Sequence, residues 1–134
     1  DHRDLHLSIR RQRQMCIRDS MRLGELLYRQ GEYNQAVELL NRSIHLGADT
    51  ADAHRYLGLA LTALGRLEDA VVALEQAVAR APGDADIHYS FAYVLQRAGR
   101  QSDSTRELRR VLELNPGHEL AERALAVGNA SNER

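Results

Sequence analysis

Apolar and polar positions follow a helical rhythm along most of the chain, and the rhythm is plainest between residues 51 and 84. Ala53, Leu57, Ala60, Leu61 and Leu64 recur at intervals of three and four, and after Gly65 so do Leu67, Val71, Leu74 and Val78. This spacing gathers apolar side chains on one face of an α-helix and leaves the charged ones on the other. Gly65 falls between the two stripes, where a helix end often needs a left-handed residue. The predicted unit is therefore a hairpin of two amphipathic helices. Gly58 and Ala70 are small where the paired helices should cross, which lets the two backbones approach closely.

The unit recurs. Gly31, Gly65 and Gly99 are 34 residues apart, and so are Ala36, Ala70 and Ser104, then Leu40, Leu74 and Leu108. Leu23, Leu57 and Phe91 keep the same step, as do Gly24, Gly58 and Ala92, and Pro82 and Pro116. A fixed period of this length marks a stacked-repeat architecture, because one hairpin cannot bury its apolar faces alone. The units fall at about 17–50, 51–84 and 85–118. Thr50 and Asp84 precede first helices and are expected to cap them. Asn115-Pro116-Gly117 breaks the chain before a last amphipathic segment, 119–128. There Leu120, Ala124, Leu125 and Val127 are expected to cover the final repeat, with Glu119, Glu122 and Arg123 facing water. Residues 129–134 are polar and expected to be a disordered tail.

The middle unit reads His54-x2-Leu57-Gly58-x2-Leu61, then Ala70-x3-Leu74, then Pro82. The third reads His88-x2-Phe91-Ala92-x2-Leu95, then Ser104-x3-Leu108, then Pro116, and the first places Ala48 where the proline would stand. This resembles the tetratricopeptide repeat (TPR) family, whose pattern is W-x2-L-G-x2-Y, A-x3-F and P. His stands for Trp and Leu for Tyr, which keeps bulk at both positions. The resemblance covers nearly all of 21–128 and implies an all-α solenoid, a right-handed superhelix of stacked antiparallel helix pairs closed by a capping helix. It also implies a concave groove that binds a peptide or partner protein, with no catalytic role. In the family the groove is lined by the second, fifth, ninth, twelfth and thirteenth positions of each first helix. Carried over, the first unit contributes Met21, Glu25, Tyr28 and Arg29. The second contributes Asp52, Arg55, Leu59, Thr62 and Ala63, and the third Asp86, Tyr89, Tyr93, Gln96 and Arg97. Tyr89 and Tyr93 are four apart and share a helix face off the core stripe, beside Arg97 and Arg55, as a binding hot spot would require. Family members that grip a terminal carboxylate use Lys, Asn and Arg at the fifth and ninth positions. Of those positions here only Arg55 qualifies, so a chaperone tail is not the expected guest.

Charge narrows the partner. The 134 residues carry 18 basic side chains, all Arg, against 19 acidic ones, for a net charge of −1. A nucleic-acid-binding domain usually carries a basic excess, so none is expected here. No apolar run is long enough to enter a membrane as a span. The first twenty residues require separate treatment. Asp1 to His6 and Arg10 to Asp19 are what a sequencing-library adapter and its transposase end encode when read in frame, with an index tag supplying Leu7 to Ile9. Residues 1–20 are accordingly expected to be non-native, so their Arg run is no nucleic-acid arm and Cys16 no reactive thiol. Without them the balance is 13 Arg against 16 acids, or −3. The first native helix then spans about 21–30 and leaves the N-terminal end of the stack exposed. Oligomeric state and compartment stay open.

Catalytic and cofactor motifs are missing from the sequence: it has no phosphate loop, nucleophile elbow or paired catalytic carboxylates. His54 and His88 recur one repeat apart, but zinc usually takes four converging ligands, so both are expected to be packed helix positions. His45 and His118 show no evident partner. Ser102-Asp103-Ser104-Thr105 follows Gly99 at a helix start, where capping is the expected role. An alternative function is a repeat module of a larger enzyme, of glycosyltransferase or sulfotransferase type, with its chemistry on another segment.

Overall fold

The computed structural model describes residues 2–132. Among these described residues, seven helices follow one another: α1 (His2–Arg29), α2 (Tyr33–His45), α3 (Ala51–Ala63), α4 (Leu67–Arg80), α5 (Ala85–Arg97), α6 (Gln101–Leu114) and α7 (Glu119–Asn132). Two boundaries differ from expectation. Helix α1 runs without a break through the segment 2–20, where Leu5, Leu7 and Ile9 stand exposed. Helix α7 continues past residue 128 to Asn132, so this part of the expected tail is helical; residues 133 and 134 lie outside the described residues.

Each first helix ends in the same way. Gly31, Gly65 and Gly99 have φ of +83°, +80° and +80°, a region that costs an L side chain roughly 1–2 kcal/mol. Their amides bond back to Tyr28, Thr62 and Gln96, and the next amides bond to Leu27, Leu61 and Leu95. This closes the orphan carbonyls of the helix and turns the chain through the hairpin. Starts differ between the two helix classes. Thr50 Oγ1 accepts from the Ala53 amide (3.2 Å), and Asp84 Oδ1 accepts from Asp86 (3.0 Å) and Ile87 (3.4 Å), as expected of N-caps. The second helices begin at Glu32, Arg66 and Arg100 with no side-chain cap. The capping role expected of Ser102–Thr105 is thus not what these residues do. Ser104 is buried and donates to the Ala92 carbonyl on the facing helix (2.8 Å), while Asp103 binds Arg100 (3.0 Å).

Helices α1–α2, α3–α4 and α5–α6 pack as hairpins, and each hairpin packs on the first helix of the next. Between them lies one continuous core from Ala36, Val37 and Leu40 through Leu57, Leu61 and Leu74 to Ile87, Val94 and Leu95. A second cluster of Ala92, Leu108, Val111 and Ala121 seats α7. Of the residues expected to face that repeat, Ala124 and Leu125 do so, together with Ala121 one turn earlier, whereas Leu120 and Val127 are exposed. First helices also touch one another, α1 on α3 and α3 on α5, while no comparable packing joins α2 to α4 or α4 to α6. The stack is therefore tighter on the side of the first helices, and that side is its inner wall.

Candidate functional site

The inner wall is built from α1, α3 and α5, and an aromatic cluster joins the end of α1 to α3 and to the start of α2. Tyr28 sits between Tyr33 and Tyr56, each with ring centroids 5.8 Å away and planes tilted by 52° and 54°. Offset, tilted rings suit the quadrupoles of aromatic pairs. Partial burial, then the neighbouring Tyr33 and Tyr93 hydroxyls, push the Tyr28 phenol above its usual range. Polar tethers hold the rim. Tyr56 donates to Glu25 Oε1 (3.1 Å), Glu25 pairs with Arg29 one turn on (2.6 Å), and Arg29 reaches the Tyr56 hydroxyl (3.4 Å).

Arg55 is fixed from two sides. Its guanidinium carbon stands 5.5 Å from the Tyr56 ring centroid, and its Nε donates to Ser90 Oγ on α5 (2.8 Å). Ser90 in turn donates to the Asp86 carbonyl (3.0 Å). A guanidinium whose plane and stem are pinned loses less freedom when a carboxylate or carbonyl meets its remaining donors.

The groove positions carried over from the repeat pattern have different surroundings. Asp52, Asp86, Gln96 and Arg97 are exposed, and Tyr93 is 44% exposed despite its size. Glu25, Tyr28, Arg29, Arg55 and Leu59 meet at the wall, Leu59 resting partly on the core. Met21 is half-buried and accepts from the Thr50 hydroxyl (3.2 Å), and Ala63 is exposed. Two positions depart from the expected role. Thr62 is only 2% exposed and donates to the Gly58 carbonyl one turn earlier (2.8 Å), so it faces its own helix. Tyr89 leans on the second cluster and stacks on His118, centroids 5.1 Å apart, rather than sharing the open face with Tyr93. Sequence reasoning missed Tyr56. Its position holds Arg22 and Ser90 in the neighbouring units, so no periodic signal marks it.

His54, His88 and His118 are structural. His54 Nε2 bonds Asp49 (2.6 Å), and Arg80 holds the same carboxylate (2.8 Å). The Arg80 and His54 bonds lower the Asp49 carboxyl to about 2. His88 is buried, with Nδ1 on Glu107 (2.7 Å) and Nε2 on the Pro82 carbonyl (2.7 Å). His118, without an evident partner in the sequence, has three: Tyr89, Asp86 (3.5 Å) and the Ala121 amide, which it caps (3.2 Å). Among the described residues no group of three His, Cys, Asp or Glu is placed to hold a metal ion, and no helix is long and apolar enough to cross a membrane.

Comparison with known proteins agrees with this architecture. A search of curated protein sequences finds no match. Among solved structures, MamA superimposes with a TM-score of 0.82 at 22% identity, over 87% of this chain and 68% of that one. The second TPR domain of human RPAP3, in complex with an HSP70 peptide, gives 0.80 at 19% identity, over 87% and 98%. An O-GlcNAc transferase of Thermobaculum terrenum gives 0.79 at 27% identity, over 87% of this chain but only 22% of that one. Two family profiles, both described as tetratricopeptide repeat, match residues 21–85 and 61–127. With the second covering half of the chain and the pair spanning every hairpin described above, the chain belongs to the tetratricopeptide repeat family.

Proposed function

We propose that the inner wall of α1, α3 and α5 holds a peptide or an exposed segment of a partner protein, and that the chain serves as an interaction scaffold without a reaction of its own. The observation that carries this reading is the preset cluster of Tyr28, Tyr56 and Arg55 beside the exposed Tyr93. Large rings and a fixed guanidinium are what binding hot spots use, since they supply contact area at little entropic cost. The RPAP3 domain of like fold, in complex with an HSP70 peptide, supports peptide binding as the mode. Glu25, Arg29, Asp52, Asp86, Gln96 and Arg97 would frame the guest, and the near balance of charge speaks against nucleic acid. Tyr93→Ala is expected to weaken partner binding by about 1–2 kcal/mol with the helical circular dichroism unchanged. Tyr89→Ala should also cost stability, because Tyr89 packs on His118. A pull-down in which Tyr93→Ala keeps every partner would count against the groove. Binding that weakens steeply with salt would favour nucleic acid instead.

A second reading has its own support. The T. terrenum transferase carries a segment of this fold within a chain of which it fills about a fifth. The present repeats would then position a substrate or partner for a catalytic domain encoded elsewhere in the same gene. Sequencing the genomic locus on both sides of the repeats decides between the readings. The same experiment tests the adapter origin of residues 1–20: genomic codons upstream of Met21 that still encode Asp1–Ser20 would refute it.

A further inference from the structure

We propose that the outer face of the stack carries a ligand site between α2 and α4, which takes a short-chain organic acid with its carboxylate on His54. The site is independent of the inner wall. No packing comparable to that of the first helices joins α2 to α4, and a cavity of about 320 Å³ lies between them, at the lower end of the small-molecule range. Leu57 and Leu61 of α3 and Ala73 of α4 line it as buried apolar residues, and Val72, 55% exposed, forms an apolar lip. His54 lines it as well, although only 8% of this residue is exposed.

The third unit shows what such a place accepts. His88 stands one repeat on from His54, and Glu107 one repeat on from Ala73. Nδ1 of His88 bonds the Glu107 carboxylate (2.7 Å), while Nε2 bonds the Pro82 carbonyl in the loop before α5 (2.7 Å). In the second unit the ring is held in the same way at one side only: Nε2 bonds Asp49 in the loop before α3 (2.6 Å). The other side is bare. Ala73 ends at Cβ, and Nδ1 of His54 has no hydrogen-bond partner among the described residues. No side-chain nitrogen or oxygen sealed from solvent lacks a partner among these residues, so Nδ1 is reached from outside. A nearly buried polar atom that opens on an apolar cavity, where the neighbouring unit supplies a carboxylate of its own, is left for a carboxylate from elsewhere.

Charge and shape select the ligand. Asp49 accepts from Nε2, and a second carboxylate on Nδ1 needs that nitrogen to donate too, so the imidazole takes up one proton from solvent as the anion binds. The imidazolium and Arg80, which holds Asp49 (2.8 Å), then face two carboxylates, that of Asp49 and that of the ligand. Asp69 is the one acid lining the cavity, and Arg66 beside it neutralises it (3.0 Å); α2 contributes only the neutral Asn41. Leu57, Leu61 and Val72 offer contact to an aliphatic body of a few carbons.

The test follows the histidine ring and Val72 methyl signals of the whole chain by NMR while hexanoate is added. The His54 and Val72 signals should shift and saturate, while those of His88, whose Nδ1 Glu107 already holds, stay in place. Hexanamide keeps the alkyl chain without the charge, and acetate keeps the charge without the chain; each should bind roughly tenfold more weakly or worse. Hexanoate affinity should rise by roughly fivefold or more from pH 8 to pH 6, the sign that proton uptake requires. Ala73→Glu supplies from within the carboxylate that Glu107 supplies in the third unit and should cost at least about tenfold in hexanoate affinity, with helical circular dichroism unchanged. His54→Phe keeps a ring at the position but removes Nδ1, and should lose the Val72 response to the same degree, so that the site stays testable where Ala73→Glu misfolds. His54 signals that never saturate, or that move no more than those of the exposed His45, would overturn the site. So would a folded Ala73→Glu or His54→Phe chain that binds as the parent does. Hexanamide binding as tightly as hexanoate, or an affinity flat in pH, would overturn the carboxylate assignment.

Discussion

At the scale of single residues, the tightest constraint is the crossing of α3 and α4. A Cβ built on Gly58 would lie 1.9 Å from Leu74 Cδ2 and 3.2 Å from the Ala70 carbonyl oxygen. Leu74 is fully buried and has no free space to turn into. Gly58→Ala gains roughly 0.5–1 kcal/mol of helix propensity but overpacks the crossing by about 1–3 kcal/mol. A net loss in urea denaturation is therefore expected; in a Leu74→Ala background, itself less stable by about 2–5 kcal/mol, the further loss from Gly58→Ala should shrink. The third unit has Ala92 at this position and accommodates it beside Ser104, whose hydroxyl bonds the Ala92 carbonyl. Asp49 gives the second prediction at this scale. Its carboxyl lies at about 2 in the folded chain against 3.8 for a free one, first through Arg80 and then through His54. A depressed carboxyl contributes stability above the unfolded value that is lost as the pH falls through the folded one. Stability should drop between about pH 4 and pH 2, by a modest amount because the pair is open to solvent. Asp49→Asn should flatten that limb of the stability–pH curve.

Helix ends decide the behaviour of whole elements. The first helices α3 and α5 start on a side-chain cap, and α1, α3 and α5 all stop on a left-handed glycine, whereas the second helices start bare. Asp84→Ala removes the acceptor for two amides and should destabilise the chain by about 0.5–2 kcal/mol, while Asp84→Asn should restore most of it. Thermal unfolding of the two variants checks this. Much of the element scale could be read from the residues alone: Thr50, Asp84 and the three glycines lie within a turn of the ends they control. Ser102–Thr105 misled for a related reason. A hydroxyl near a helix start satisfies capping preference equally well in sequence, and only the facing carbonyl of Ala92 shows where Ser104 points.

Across the whole molecule, each hairpin touches only its neighbours, so stability is a sum of local terms and interfaces. The α3–α4 hairpin has a neighbour on both sides, and α7 packs chiefly on α6. Hydrogen exchange should therefore be slowest in α3 and α4, and faster in α7, whose amides open by local fraying. Equal protection in α4 and α7 would mean that the stack opens as one unit. At the same scale the proposed groove was only partly legible. Its periodic members follow from the register, but Tyr56, Ser90 and His118 join the wall or its supports through contacts between units. Those contacts bring together residues 27 to 35 positions apart whose types differ from one unit to the next.

The order of apolar, small and glycine residues was enough by itself to determine the hairpin, its 34-residue period and the all-helical stack, because helix periodicity, capping and close crossing depend on neighbours within a few turns. Tertiary structure alone decided which of the proposed groove positions are open. Thr62 folds back on Gly58, Tyr89 is taken up by His118, and Tyr28 is joined by Tyr56. The side chains of a curved wall compete for space and hydrogen bonds with those of the next helix, and the outcome depends on distances that no single helix encodes.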